Sequence, residues 1–281
     1  MTYNTHQCQH ARKTPGNDAL RFVRESGADI VFLQEYEVHK NADYLTFEEA
    51  KTYLAEQYPY TYFDFAVYNK RRQYGVAVFS RYPLINKQTI RYESRANISN
   101  RCDVVVGTDT FRLFNNHLES NRVDNADLDP LTVERLSGDN MRRSLSTVTR
   151  KMSEAYRSRA TEVQRVREEI AASPYPVIVA GDMNDVPVSF TYRQLCTARP
   201  KIQDAFLAAP CIVYPSHQRS FIGHTFFLSD IPLLQHYGVR IDYLFVDNLF
   251  RITGSALHQP QSLDTNLVVS DHLPFSATIS W

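Results

Sequence analysis

The stretch "VIVAGDMNDVPVS", residues 177–189, runs Val177, Ile178, Val179 and Ala180 into Gly181, then presents Asp182, Met183, Asn184 and Asp185 before Pro187 breaks it. A short apolar run closed by a breaker reads as a buried strand. A carboxylate and a carboxamide two residues apart at the end of such a strand are costly to desolvate unless they hold something. Stability alone does not call for them.

The same design recurs elsewhere. "ADIVFLQE" (28–35) is a buried strand that delivers Glu35, and "DVVVGTDTFRLFNNHLE" (103–119) is two strands joined at Gly107-Thr108-Asp109, the second delivering His117. "VRIDYLFVDN" (239–248) carries Asp242 inside an apolar run, and Asp271-His272 precede a last strand, "PFSATISW" (274–281). "YGVAVFS" (74–80) is a further strand, stopped by Tyr82-Pro83. Helices are predicted between the strands. Asn17 caps one that runs through Glu25 to Gly27, Thr46 and Glu49 form a capping box ahead of "EEAKTYLAEQ", and a long helix is predicted over about 146–172. This alternation predicts an α/β domain. Polar groups at strand ends can converge on one rim of a sheet, where such folds place ligands.

Composition bounds the possibilities. With 281 residues and 43% hydrophobic content the chain can bury a sizeable core, and no segment approaches the length of a membrane span. Its 31 basic and 31 acidic residues cancel, which disfavours a sequence-blind clamp on long nucleic acid. The cysteines at 8, 102, 196 and 211 show no CxxC spacing; Cys196 and Cys211 are a pair a disulfide can join, unpaired thiols being the commoner state. Met1 leads straight into Thr2-Tyr3-Asn4, with almost no room for a strand and no signal peptide. The compartment stays open, and a trimmed piece of an exported or membrane-anchored protein is one reading. No repeat or linker divides the chain, so residues 1–281 are read as one domain with a polar, acidic insertion at about 120–140.

Taken in order, "TYN" (2–4), "LQE" (33–35), "NNHLES" (115–120), "GDMND" (181–185), "IDYLFV" (241–246) and "SDHLP" (270–274) resemble the endonuclease/exonuclease/phosphatase superfamily over residues 2 to 275. The resemblance implies a DNase I-like α/β/β/α sandwich of four layers, two packed mixed sheets with outer helices. It also implies Mg²⁺-dependent hydrolysis of a phosphoester, with Mn²⁺ a substitute. Glu35 and Asp271 supply the hard oxygen ligands Mg²⁺ prefers, and the family places Asn4 beside the metal. His272, paired with Asp242 as the family implies, is the general base; Asp182 and Asn184 hold the attacking water and a phosphate oxygen, and His117 serves the phosphoryl oxygens or leaving group. Abasic-site endonucleases resemble this pattern but carry a tyrosine near the position of His117, which points away from abasic-site repair.

The substrate classes left open are nucleic acid, a phospholipid head group and a small phosphate ester; nothing implies a protein partner, and a monomer is expected. Lys70, Arg71 and Arg72 ("NKRRQYG", 69–75) are either a phosphate-contact loop or a solvated turn. His6, Cys8 and His10 ("HQCQH") read as surface polarity on a loop rather than a zinc site. The reading of a different class is a catalytically silent phosphate- or nucleic-acid-binding module on the same fold. Such a module would have lost one of Glu35, Asp182, Asp242 or His272, and the sequence retains each.

Overall fold

The apolar runs read as buried strands lie side by side in two sheets. A computed structural model of the chain describes residues 1–94, 96–123, 127, 138–213, 225–227, 238–262 and 269–281, with backbone alone at 9–10 and 138–140. Most of the expected insertion at 120–140 lies outside these described residues.

The first sheet is seven-stranded, in the order β10-β14-β15-β1-β2-β4-β3. It comprises β1 (Thr2–Asn4), β2 (Ile30–His39), β3 (Tyr60–Tyr68), β4 (Arg72–Ser80), β10 (Cys211–Val213), β14 (Arg251–Leu257) and β15 (Phe275–Ser280). The second is six-stranded, in the order β5-β6-β7-β8-β13-β9, from β5 (Leu84–Arg91), β6 (Ile98–Val106), β7 (Asp109–His117), β8 (Val177–Asp182), β9 (Ile202–Asp204) and β13 (Asp242–Asp247). A small ribbon pairs β11 (Phe226–Phe227) with β12 (Gly238–Val239). Both large sheets are mixed: β1–β2 and β7–β8 run parallel among antiparallel neighbours.

Period-two alternation assigns each face. On β2, Val31 and Leu33 face an outer cluster while Phe32 faces the other sheet. On β8 and β13, Ile178, Ala180, Leu244 and Val246 meet Phe32, Val78, Leu257 and Phe275 between the sheets. Val177, Val179, Tyr243 and Phe245 point outward instead. Each fully buried side chain of this size contributes about 1.5–3 kcal/mol. The outer face of the first sheet is covered by α1 (His6–Ala11), α2 (Asp18–Glu25) and α3 (Phe47–Leu54) through Ala11, Leu20, Val23 and Leu54. The outer face of the second is covered by α4 (Gly138–Ala171) and α5 (Phe190–Cys196) through Val163, Val166, Ile170 and Leu195; a short α6 (Ala205–Ala208) follows β9. The result is the DNase I-like α/β sandwich of two packed mixed sheets.

Several local expectations change. Thr2–Asn4, too short to be read as a strand, pairs on both sides, because β2 and β15 supply the partners it cannot supply alone. Thr46 caps α3 through the Glu49 N–H, but the Glu49 carboxylate accepts from Thr14 instead of closing a reciprocal box. The long helix starts at Gly138, earlier than predicted. All the cysteines are unpaired, so Cys196 and Cys211 form no disulfide. "HQCQH" is not a surface loop either: it forms α1 and buries Cys8 in the outer core.

The helix α4 also carries buried charge beneath the strand exits. Arg159 is fully buried; it donates to the Glu119 carbonyl at 2.7 Å and to Asn121 Oδ1 at 3.0 Å, and lies 3.4 Å from Asp185. One turn on, Glu162 accepts from the Glu119 N–H at 2.8 Å, and burial pushes its carboxyl up from 4.5 to about 7. A folded-state pKa above the unfolded one means the unfolded chain gives up the proton first. Stability from this group is therefore full below about pH 4.5 and lost as pH rises through about 7. Glu162→Gln keeps the acceptor and removes the charge. It is expected to raise Tm by several degrees at pH 8 and by nothing at pH 4, measured by scanning calorimetry. A gain independent of pH would contradict the assignment.

Candidate active site

Register places the chemistry. β8 lies between β7 and β13, and its last residue, Asp182, is opposite His117 on one side and Asp242 on the other. These residues, read from three distant stretches, form one row across the sheet. Gly181 precedes them at φ 135, and a Cβ there would sit 2.0 Å from the Asn116 carbonyl oxygen. Only glycine lets β8 approach β7 that closely.

The first sheet brings its groups to the same rim. A bulge between Leu33 and Tyr36 breaks the β2–β4 register, with Glu35 in the left-handed region (φ 50). Bulges of this kind re-aim a side chain, and here Glu35 Oε1 comes within 3.9 Å of His117 Nε2. Asn4 spans the sheets: Nδ2 donates to Asp182 Oδ2 at 3.0 Å and to Glu35 Oε1 at 3.4 Å, while Oδ1 accepts from the His6 N–H. Behind it, Gln34 donates to Asn115 Oδ1 at 2.7 Å, and Asn115 donates to the carbonyls of Leu33 and Ala77. Amide pairs thus replace apolar packing where the site opens.

His272 Nδ1 lies 2.9 Å from Asp242 Oδ2, and its Nε2 is 3.8 Å from Asp182 Oδ2. Burial opposes its charge, yet Asp242 and then Asp182 hold its pKa well above the usual histidine value. His117 behaves oppositely: burial lowers its pKa, and its Nδ1 is buried without a hydrogen-bond partner among the described residues. Asp182 is 1% exposed, and burial, then Asp242, push its carboxyl above the usual carboxylate range, although Asn4 and the Asn184 N–H both donate to it. Asn184, at φ 50, gives one amide hydrogen to the Leu118 carbonyl. Asp271 is drawn below the usual carboxylate range despite burial, mainly by a hydrogen bond with His6.

The charge balance fits a divalent cation. Among the described residues, the ion pairs of Glu35, Asp182, Asp242 and Asp271 are with histidines, never with lysine or arginine. Oxygen donors concentrated in this way suit Mg²⁺ or Mn²⁺. Among the described residues, Asp182, Asp242 and His272 form a group of three candidate ligand atoms within 4.8 Å of one another. That tightness reflects the hydrogen bond between Asp242 and His272, which engages Nδ1 in the pair. Asn4 acts here as a donor that joins Glu35 to Asp182.

Arg71 and Arg72 do not reach these carboxylates. They follow the turn at the end of β3, where Arg72 pairs with Glu37 at 3.1 Å and the Arg71 N–H donates to Asn69. Two residues not expected at the rim are Tyr74 and His6, the latter read in sequence as surface polarity. Tyr74 lies 6.4 Å from the His117 ring, and burial, then Glu35 and Asp182, raise its pKa. It was absorbed into an apolar strand, and nothing local marked it out.

The chain belongs to the endonuclease/exonuclease/phosphatase family, whose sequence profile matches residues 1–272. Among solved structures, a truncated TDP2 from Caenorhabditis elegans is similar with a TM-score of 0.64 at 19% identity, covering 99% of this chain and 95% of that one. An endonuclease/exonuclease/phosphatase from Bacteroides vulgatus gives 0.58 at 16% identity, covering 99% and 97%. A family protein from Leptotrichia buccalis gives 0.62 at 14%, covering 100% and 98%. No curated protein matches. At these identities the structural likeness speaks to the fold, while family membership supports phosphoester hydrolysis in general.

A cation that binds the folded chain alone stabilises it, by about 2.7 kcal/mol at a hundredfold excess over Kd. Saturating Mg²⁺ or Mn²⁺ is expected to raise Tm above its value in EDTA, and Glu35→Gln and Asp271→Asn are expected to lose most of that rise. Equal rises in all three proteins would remove these two residues as its holders.

Proposed function

We propose that this protein is a divalent-metal-dependent phosphoester hydrolase in which water attacks phosphorus in line, with His272 and Asp242 as the base. The observation that carries this reading is the row His117–Asp182–Asp242, with His272 hydrogen-bonded to its far end. Glu35 and Asp271 would hold Mg²⁺ or Mn²⁺, with Asn4 orienting Glu35 and Asp182. When bound, the cation supplies positive charge to the phosphoryl oxygens.

The remaining work falls to the chain's own side chains. With Nδ1–H directed to Asp242, His272 presents Nε2 as the proton acceptor, on the side facing Asp182. Asp182 accepts one hydrogen of the attacking water and so aims its lone pair. Asn184 has a second amide hydrogen for a phosphoryl oxygen, where another carboxylate would repel the anion. His117, kept neutral by burial, donates Nε2–H to the phosphoryl group without adding a positive charge. The balanced formal charge favours a small or lipid-derived ester over long duplex nucleic acid. The silent-binding reading expects the loss of one of Glu35, Asp182, Asp242 or His272, and the sequence retains each.

The test is a panel of single-stranded and nicked DNA, RNA, sphingomyelin, inositol phosphates and a chromogenic diester, assayed with Mg²⁺, with Mn²⁺ and in EDTA. Cation-dependent release of product from at least one substrate is expected. His272→Ala is expected to lower kcat by about 10²–10⁴, and His272→Ala/Asp242→Asn scarcely more than the worse single variant, because the two act as a unit. Full turnover in His272→Ala would reject the base assignment, and tight binding of a phosphoester without turnover would favour the silent module.

A further inference from the structure

His6 has no part in the mechanism above, yet the chain adopts a costly conformation to place it. His6, Gln7 and Cys8 sit at φ 44, 59 and 49, a left-handed turn without glycine. Such residues cost about 1–2 kcal/mol each. Contacts at both ends hold the turn: the His6 N–H donates to Asn4 Oδ1, Thr5 Oγ1 accepts from the Cys8 N–H, and Cys8 is buried in the outer core. The turn brings the His6 ring to Asp271, with Nδ1 2.8 Å from Oδ1. Strain at a non-glycine turn that ends on a proposed metal-holding carboxylate is the pattern of a functional constraint.

The other side of Asp271 is tied to the same strand end. Ser270 Oγ donates to the Asn4 carbonyl at 2.8 Å and accepts from the His272 N–H at 3.1 Å. The backbone around Asp271 is thereby fixed, while its carboxylate, 20% exposed, has a torsion of its own. A carboxylate that rotates presents either oxygen to a cation, and ordering it on binding costs entropy. A donor fixed on Oδ1 leaves Oδ2 as the oxygen presented.

We propose that His6 is a positioning residue for the metal centre, donating Nδ1–H to Asp271 Oδ1 so that Oδ2 is held ready for the cation. Direct coordination through His6 Nδ1 fits less well, because that nitrogen lies 2.8 Å from Asp271 Oδ1 and would have to leave this hydrogen bond. Outer partners of this kind change metal affinity by about 10–100-fold. The inference rests on the reading of Glu35 and Asp271 as holders of a divalent cation.

The test is Mn²⁺ binding to the full chain, read from the electron paramagnetic resonance of free Mn²⁺, for the wild type, His6→Ala and His6→Asn. Asparagine places an amide N–H where Nδ1–H stands and tolerates the left-handed backbone. His6→Ala is expected to raise Kd by about 10–100-fold and His6→Asn to recover most of the loss. Tm in EDTA, read for each protein, reports folding separately from binding. Unchanged Mn²⁺ affinity in His6→Ala would overturn the inference and leave the metal site standing, as would equal losses in both variants. A ¹⁴N coupling to bound Mn²⁺ in the wild type that both variants lack would overturn it in favour of direct coordination. If the wild type binds no Mn²⁺, the metal reading itself fails and takes the inference with it.

Discussion

Negative charge gathered where two sheets meet is the constraint around which this molecule is organised. Glu35, Asp182, Asp242 and Asp271 converge there, and among the described residues their ion pairs are with histidine rather than with lysine or arginine. Burial first, and then repulsion from Asp242, raise the pKa of Asp182. The fold tolerates the arrangement through hydrogen bonds: Asn4 Nδ2 and the Asn184 N–H donate to Asp182, and the His272 ring lies on Asp242. A cation at the rim relieves the same repulsion, which is why charge balance and proposed chemistry point to one place.

The sandwich makes the arrangement rigid. Asp182 ends a strand buried on both faces, so its position is fixed by Ile178 and Ala180 on one side and Val177 and Val179 on the other. Across the gap, Asn4 and Glu35 hang from β1 and β2, and the Asn4–Asp182 hydrogen bond closes one sheet on the other at the rim. Mobile loops could not hold these groups at fixed separations; strand ends with packed apolar runs behind them can. Backbone strain collects at the same place, at Glu35, Asn184 and the turn from His6 to Cys8.

Much of this was legible in the chain. Strands with continuous apolar runs, β2, β8 and β13, announced themselves, and so did the polar residue that each delivers. β3 and β5 were not recognised: "YTYFDFAVY" and "LINKQTIR" mix polar and apolar residues, because one edge of each is exposed and neither is buried on both faces. Motif order gave the rim residues Glu35, His117, Asp182, Asn184, Asp242 and His272. At Arg71 and Arg72 the charge pattern left a phosphate-contact loop and a solvated turn both open, and the fold adds an ion pair of Arg72 with Glu37.

By itself the sequence determined which residues could do the chemistry, because residue type and position at the end of an apolar run are local properties. Only the tertiary structure decided which of them touch. The contact of Asp242 with His272 spans 30 positions, that of Asn4 with Asp182 spans 178, and that of His6 with Asp271 spans 265. Strand register and sheet packing set such pairings, and both depend on the whole core forming at once. His6 reads as surface polarity and Tyr74 as part of an apolar strand for that reason: the contacts of both come from what folding places beside them.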